Sequence, residues 1–154
     1  MLFFDTNVIV YSIVNLDEEK LKISQQLVNE ALDENSILIS PIILQEMIFT
    51  LGKLRVEPGV IEENVDLWTN FSISMIDNDM VKEAFDLCKK INNFRTINDA
   101  IHLKFAEKYC KKLITFDNDF KKFTSFTELE IEILQSEQTE SDAAETLNNH
   151  TSPD

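Results

Sequence analysis

The amino-acid sequence predicts an α/β fold with a mainly parallel sheet of four to five strands. Three observations predict it. Short apolar runs alternate along the chain with longer segments of helical spacing. The chain contains only 2 glycines in 154 residues, too few for turn-rich all-β folds or for a Gly-rich phosphate loop. Its length suits one domain around one core.

The elements follow in order. Leu2–Phe4 reads as a short buried strand. Asn7 is a suitable N-cap for a short helix from Val8 to about Val14. Residues 17–33 place Leu21, Leu27, Val28, Ala31 and Leu32 at helical spacing, with acids in the first turn to suit the helix dipole. Ile37–Ile39 is a second strand. Ser40-Pro41 starts a helix that runs to about Arg55, and Glu57-Pro58-Gly59 is a break before a helix at Val60–Asn70. Ile73–Ile76 reads as a third strand, and Asp77–Asp79 opens a helix that reaches Ile91 and ends at Asn92-Asn93. Asn98 reads as the cap of a helix from Asp99 to about Cys110. Lys112–Phe116 is a fourth strand, and Leu129–Leu134 a fifth, with Glu130 and Glu132 outward. The domain is expected to cover residues 1–135. Residues 136–154 are polar and acidic, with almost no large apolar residue, and read as a disordered tail.

Charge is uneven. Net charge is −14, yet residues 82–122 carry 6 acids against 10 bases. The whole chain argues against a nucleic-acid partner, and that segment keeps a local basic face open. Lys104, Lys108 and Lys111 fall on one helical face, and Arg95 sits on the approach to Asp99. No signal peptide or membrane span is legible, so a cytoplasmic protein is expected. Cys88 and Cys110 lack metal-ligand spacing and read as reduced core thiols.

The acids carry the chemistry. In an open parallel sheet, ligands bind beyond the carboxyl ends of the strands. Asp5 follows the first strand, and Asp117 follows KLITF by one residue. Asp99 opens the helix before that strand, and Glu46 lies in the second turn after strand two. Asp119 stands close behind. Carboxylates brought within a few ångströms repel unless a cation neutralises them. All-oxygen donors suit Mg²⁺ or Mn²⁺, and such a pocket is apparatus for hydrolysing a phosphodiester. Taken singly, each acid could also be a helix cap, a dipole partner or a turn residue. His102, one turn after Asp99, reads as a satisfied, partly buried histidine rather than a ligand.

The stretches FFDTNVIVY, SPIILQEMIF, NDAIHLKFAEKY and KLITFDNDF, in that order from residue 2 to about residue 123, resemble the PIN domain family, and within it the VapC-type ribonuclease toxins. The resemblance implies a compact α/β/α sandwich and a Mg²⁺- or Mn²⁺-dependent endoribonuclease. By position it implies Asp5, Glu46, Asp99 and Asp117 as catalytic acids, with Asp5, Asp99 and Asp117 on the metal. Asp119 matches an auxiliary acid, Thr6 and Asn7 match polar residues that organise the first aspartate, and Thr115 matches a hydroxyl that holds a carboxylate. Arg95, Lys104 and Lys108 become candidates for RNA contact. A cognate antitoxin and a homodimer are also implied, with the apolar helices near Ile42–Leu54 and Val60–Trp68 as candidate faces, although Trp68 and Phe71 read as core. The overall acidity departs from what an RNA-cutting enzyme would be expected to carry. Three rivals stay open: an aspartate phosphatase or receiver-type phosphoacceptor, a non-catalytic binding module of the same fold, and an RNA-processing nuclease without an antitoxin. Asn7 stands where the phosphatase would want a second aspartate.

Overall fold

A computed structural model describes residues 1–73 and 75–135. The chain runs β1 (Leu2–Phe4), α1 (Thr6–Ile13), α2 (Glu18–Asp33), α3 (Pro41–Lys53), α4 (Pro58–Thr69), α5 (Asn78–Lys90), α6 (Ile97–Tyr109), β2 (Lys112–Thr115) and β3 (Glu130–Ile133). A 3₁₀ turn at Phe94–Thr96 leads into α6, and a longer 3₁₀ segment, Asn118–Phe126, links β2 to β3. The expected tail, 136–154, lies outside the described residues.

The sheet is parallel, with β2 between β1 and β3; Phe3 pairs with Leu113 and Ile114 with Glu132. Isolated parallel bridges, Leu2 to Ile37 and Ile39 to Ser72, continue it on the far side of β1. The second expected strand is thus present only as bridging residues. The third, Ile73–Ile76, is not a strand among its described residues; contact is made at Ser72. Counting the bridged segments, the order from the far edge is 3-2-1-4-5 in chain sequence. The direction of winding therefore reverses beside β1, where ligands bind in open α/β sheets.

Three helix starts also differ from the sequence reading. Helix α1 is capped by Asp5, not Asn7, because the Asp5 carboxylate accepts from Thr6 N at 2.8 Å. Helix α4 begins at Pro58 itself, which the first turn tolerates because its missing N–H has no helical partner there. Helix α6 begins at Ile97 with no side-chain cap, since Asn98 is engaged elsewhere. The scarcity of glycine is met at helix ends by Asn35, Arg55 and Asn92, which take φ of 50°, 58° and 52°. Each closes its helix with paired backbone bonds, such as Ser36 N to Ala31 O and Asn35 N to Leu32 O after α2.

The core centres on β1, β2 and α6. Phe3, Phe4, Leu103, Phe105, Leu113 and Phe123 are fully buried. Helix α6 is buried along most of its length, at Ala100, Ile101, His102, Leu103, Phe105 and Ala106, so an amphipathic pattern is weak there. Trp68 is buried, with Phe71 edge-on at 6.2 Å, as core residues should be. Cys88 and Cys110 are free, and burial pushes the Cys110 thiol up to about 11. Among the described residues no helix is long and apolar enough to cross a membrane.

Phe105 lies between Phe3 (ring centroids 5.5 Å) and Tyr109 (5.0 Å), joining α6 to the sheet. Phe105→Ala is expected to lower stability by about 3–5 kcal/mol. Urea unfolding should show this as a lower midpoint with an unchanged slope.

Candidate active site

The carboxyl ends of β1 and β2 open onto a cleft of about 400 Å³ whose lining includes Asp5, Glu46, Asp99 and Asp117. Four residues spread over more than a hundred positions thus face one space.

Asp5 is the most tightly held. Its side chain caps α1, and its second oxygen accepts from Asn7 Nδ2 at 2.6 Å and from Thr115 Oγ1 at 2.6 Å. Asn7 also donates to Thr115 Oγ1 (3.0 Å) and accepts from Phe116 N (3.0 Å). Thr115 Oγ1 in turn accepts from Asp117 N at 2.9 Å. The ends of β1 and β2 are therefore tied through a single polar knot, and Asp117 emerges directly from it. Asp117 caps the following 3₁₀ segment by accepting from Asp119 N at 2.8 Å.

Glu46 projects from α3 and accepts three hydrogen bonds: from Thr6 Oγ1 at 2.6 Å, from Asn98 Nδ2 at 2.8 Å and from His102 Nε2 at 3.0 Å. Asn98 and His102 are four residues apart, so one face of α6 supplies both. That spacing was the available sequence signal for them. Asp99, one residue along, instead meets Lys122 Nζ at 3.4 Å. Lys122 also approaches Asp119 at 3.9 Å, but Asp119 is largely exposed and does not line the cleft.

Electrostatics divide the acids. Burial pushes the Asp5 carboxyl up, against the opposing charge of His102 and the Thr115 hydrogen bond; Glu46 adds to the rise. Burial likewise raises Asp99, against Lys122, and the nearby Asp5 charge raises it further. For Glu46, burial pushes up, but the hydrogen bond and charge of His102, with Thr6 and Asn98, outweigh it and hold the carboxyl below its ordinary range. His102 is lowered by burial, but Glu46, Asp5 and Asp99 together raise it above the ordinary histidine value.

Among the described residues no three His, Cys, Asp or Glu side chains are gathered closely enough to hold a metal ion as they stand. The acids share a cleft without the close convergence the sequence suggested. Glu46 is instead held by His102 and its other donors, and Asp99 by Lys122. The donor set still fits a hard divalent cation, because it is all oxygen and two of its carboxyls lack full charge compensation.

The basic residues singled out from sequence lie elsewhere. Lys104 pairs with Glu107 at 2.7 Å and Lys108 with Asp77 at 3.3 Å, and both line a separate cleft with Asp79 and Glu83. Arg95 is exposed on the 3₁₀ turn before α6 and is not part of the acidic cleft's lining. Sequence reasoning did not place Tyr11, Leu16 and Phe49 there, although all three line the acidic cleft.

The PIN domain family, compared as a sequence model, matches residues 2–125. Among solved structures, a chain in the crystal structure of VapBC2 from Rickettsia felis bound to a DNA fragment from their promoter superposes with a TM-score of 0.62. The match covers 88% of this chain and 100% of that one at 18% identity, a likeness of fold. No curated protein matches the sequence.

The His102–Glu46 pair has a defined pH signature. His102 is raised on folding, so its contribution is fully present below the unfolded value of about 6.5 and is lost as pH rises through the folded value. In metal-free buffer, the melting-temperature advantage of the wild type over His102→Gln is expected to shrink as pH rises above about 6.5. An advantage that grows as pH rises would contradict the assignment.

Proposed function

The chain belongs to the PIN domain family, and on that premise we propose that it is a Mg²⁺- or Mn²⁺-dependent endoribonuclease of the VapC toxin type. The observation that carries this reading is the cleft itself: Asp5, Glu46, Asp99 and Asp117 line one space at the carboxyl ends of β1 and β2. Asp5 within it is locked by Thr6, Asn7 and Thr115.

Asp5, Asp99 and Asp117 would hold the cation, directly or through water. When bound, it supplies an activated water and neutralises charge building on the phosphate and the leaving oxygen. The protein's own residues do the rest. Thr115 and Asn7 fix the Asp5 carboxylate so that it needs no rearrangement when substrate arrives. Glu46, kept ionised by His102, Thr6 and Asn98, retains free acceptor capacity on Oε1 and orients the attacking water. Lys122, beside Asp99, contacts a phosphate oxygen of the strand. Asp119 assists through Lys122. Attack in line on phosphorus leaves a 5′-phosphate and a 3′-hydroxyl.

From the resemblance to VapC-type toxins we further propose a cognate antitoxin, a homodimeric state and a cytoplasmic location for this chain. An acidic cleft suits an antitoxin that blocks it with an Arg or Lys side chain. Arg95, Lys104 and Lys108 remain candidates for more distant contacts with RNA. The carboxylates of Asp77 and Glu107 must be displaced before the two lysines can serve.

An RNA cleavage assay with Mg²⁺ or Mn²⁺ tests the proposal. Cleavage is expected to stop in EDTA, and Asp99→Asn is expected to slow it about 100-fold or more, the several kcal/mol a metal site contributes. Cleavage that survives both changes would remove the acidic cleft from the reaction.

A further inference from the structure

The acidic cleft has a second kind of lining. Beside the carboxylates it is lined by Tyr11, Leu16 and Phe49. Phe49 is 66% exposed and Leu16 is 55% exposed, so both offer large apolar surface beside the carboxylates. Phe49 lies on α3 three residues after Glu46, so both project on the same side of that helix. Tyr11 packs edge-on against Phe116 with ring centroids 5.3 Å apart. Lys20 Nζ stands 5.0 Å from the Tyr11 ring, 5.6 Å from the Phe116 ring and 3.4 Å from the Tyr11 hydroxyl. An ammonium is thereby held against the aromatic residue that lines the cleft.

We infer that Phe49, Tyr11 and Leu16 form a subsite for an unpaired nucleobase of the RNA strand, with Lys20 contacting a neighbouring phosphate. This rests on the nuclease reading above. Of the three parts of a nucleotide, only the base has an apolar face, and base–aromatic stacking is indifferent to sequence. A base inside a duplex has both faces covered, so a strand using this subsite is single-stranded. A cation 5.0 Å from the Tyr11 ring matches the phosphate that accompanies each base of a strand. Continuity with the carboxylates places that base next to the phosphate being cut. Phe49 is thus a specificity-determining residue that selects unpaired RNA. The same arrangement holds a cation against Tyr11 of the cleft lining, which Lys104 and Lys108, paired with acids in a different cleft, do not supply.

Steady-state kinetics on a single-stranded oligoribonucleotide with Mn²⁺ test this, using intact oligonucleotides and versions with one abasic nucleotide at each position in turn. Phe49→Ala leaves no buried cavity, so the fold should persist. It is expected to raise KM about 5- to 150-fold, the range for losing one stacked base, with a much smaller change in kcat. Phe49→Trp should restore KM. An abasic nucleotide beside the cut should raise KM for the wild type and add little to Phe49→Ala, because both remove the same contact. Lys20→Gln should reduce the slope of log(kcat/KM) against log salt by about 0.7. If the wild type cleaves and Phe49→Ala leaves KM unchanged, the subsite is overturned and the nuclease reading stands. A loss of dimer with Phe49→Ala at unchanged KM would assign this face to a second copy and overturn it likewise. If the wild type cleaves no RNA, both readings fall together.

Discussion

A carboxylate at the end of a buried strand must be either held or abandoned, and the holding of Asp5 is the constraint on which this structure turns. The residue is 7% exposed, directly after the fully buried Phe3 and Phe4. Left bare, such a group would cost several kcal/mol in desolvation. It is instead given a backbone donor from Thr6, an amide from Asn7 and a hydroxyl from Thr115. Those same partners join the ends of β1 and β2 and set the departure of Asp117. The start of α1, the strand pairing and the shape of the cleft are thus different consequences of satisfying one side chain.

Around that knot the protein handles three of the four cleft acids in three ways. Glu46 is compensated by a buried histidine and two neutral donors. Asp99 is partly compensated by Lys122. Asp5 is hydrogen-bonded yet raised by burial, against the opposing charge of His102. The unequal treatment leaves a deficit of positive charge centred on Asp5 and Asp99. In the proposed nuclease, that deficit rather than a preassembled ligand cage would draw a divalent cation into the cleft. Under the proposed activity an anionic strand would have to approach an anionic cleft, and Lys122, held by Asp99, and Lys20, held against two aromatic rings, would offset that repulsion locally.

Much of this was legible in the sequence, and the reasons for the remainder are physical. Residues fixed by local chemistry read well: an acid after an apolar strand, Pro41 at a helix start, the alternation of strands and helices. The family resemblance named Asn7 and Thr115 as partners of a carboxylate, and in the fold both donate to Asp5. Features that depend on distant partners read poorly. Ile37–Ile39 and the segment after Ser72 have strand-like composition, but pairing supplies only isolated bridges. Asn98 has the composition of a cap and is drawn instead to Glu46, fifty-two positions away. The lysines of α6 share a helical face, but that face meets acids of α5 and its approach. Helical periodicity reports the direction of a side chain and says nothing of what waits there.

Calorimetric titration with Mn²⁺ at mildly acidic pH, in buffers of different ionisation enthalpy, measures the central claim directly. If raised carboxyls in the cleft receive the cation, binding must release protons, and Asp5→Asn and Asp99→Asn must each weaken binding and reduce the protons released. That is the expected result. Absence of binding heat in the wild type, or binding indifferent to both substitutions, would contradict it.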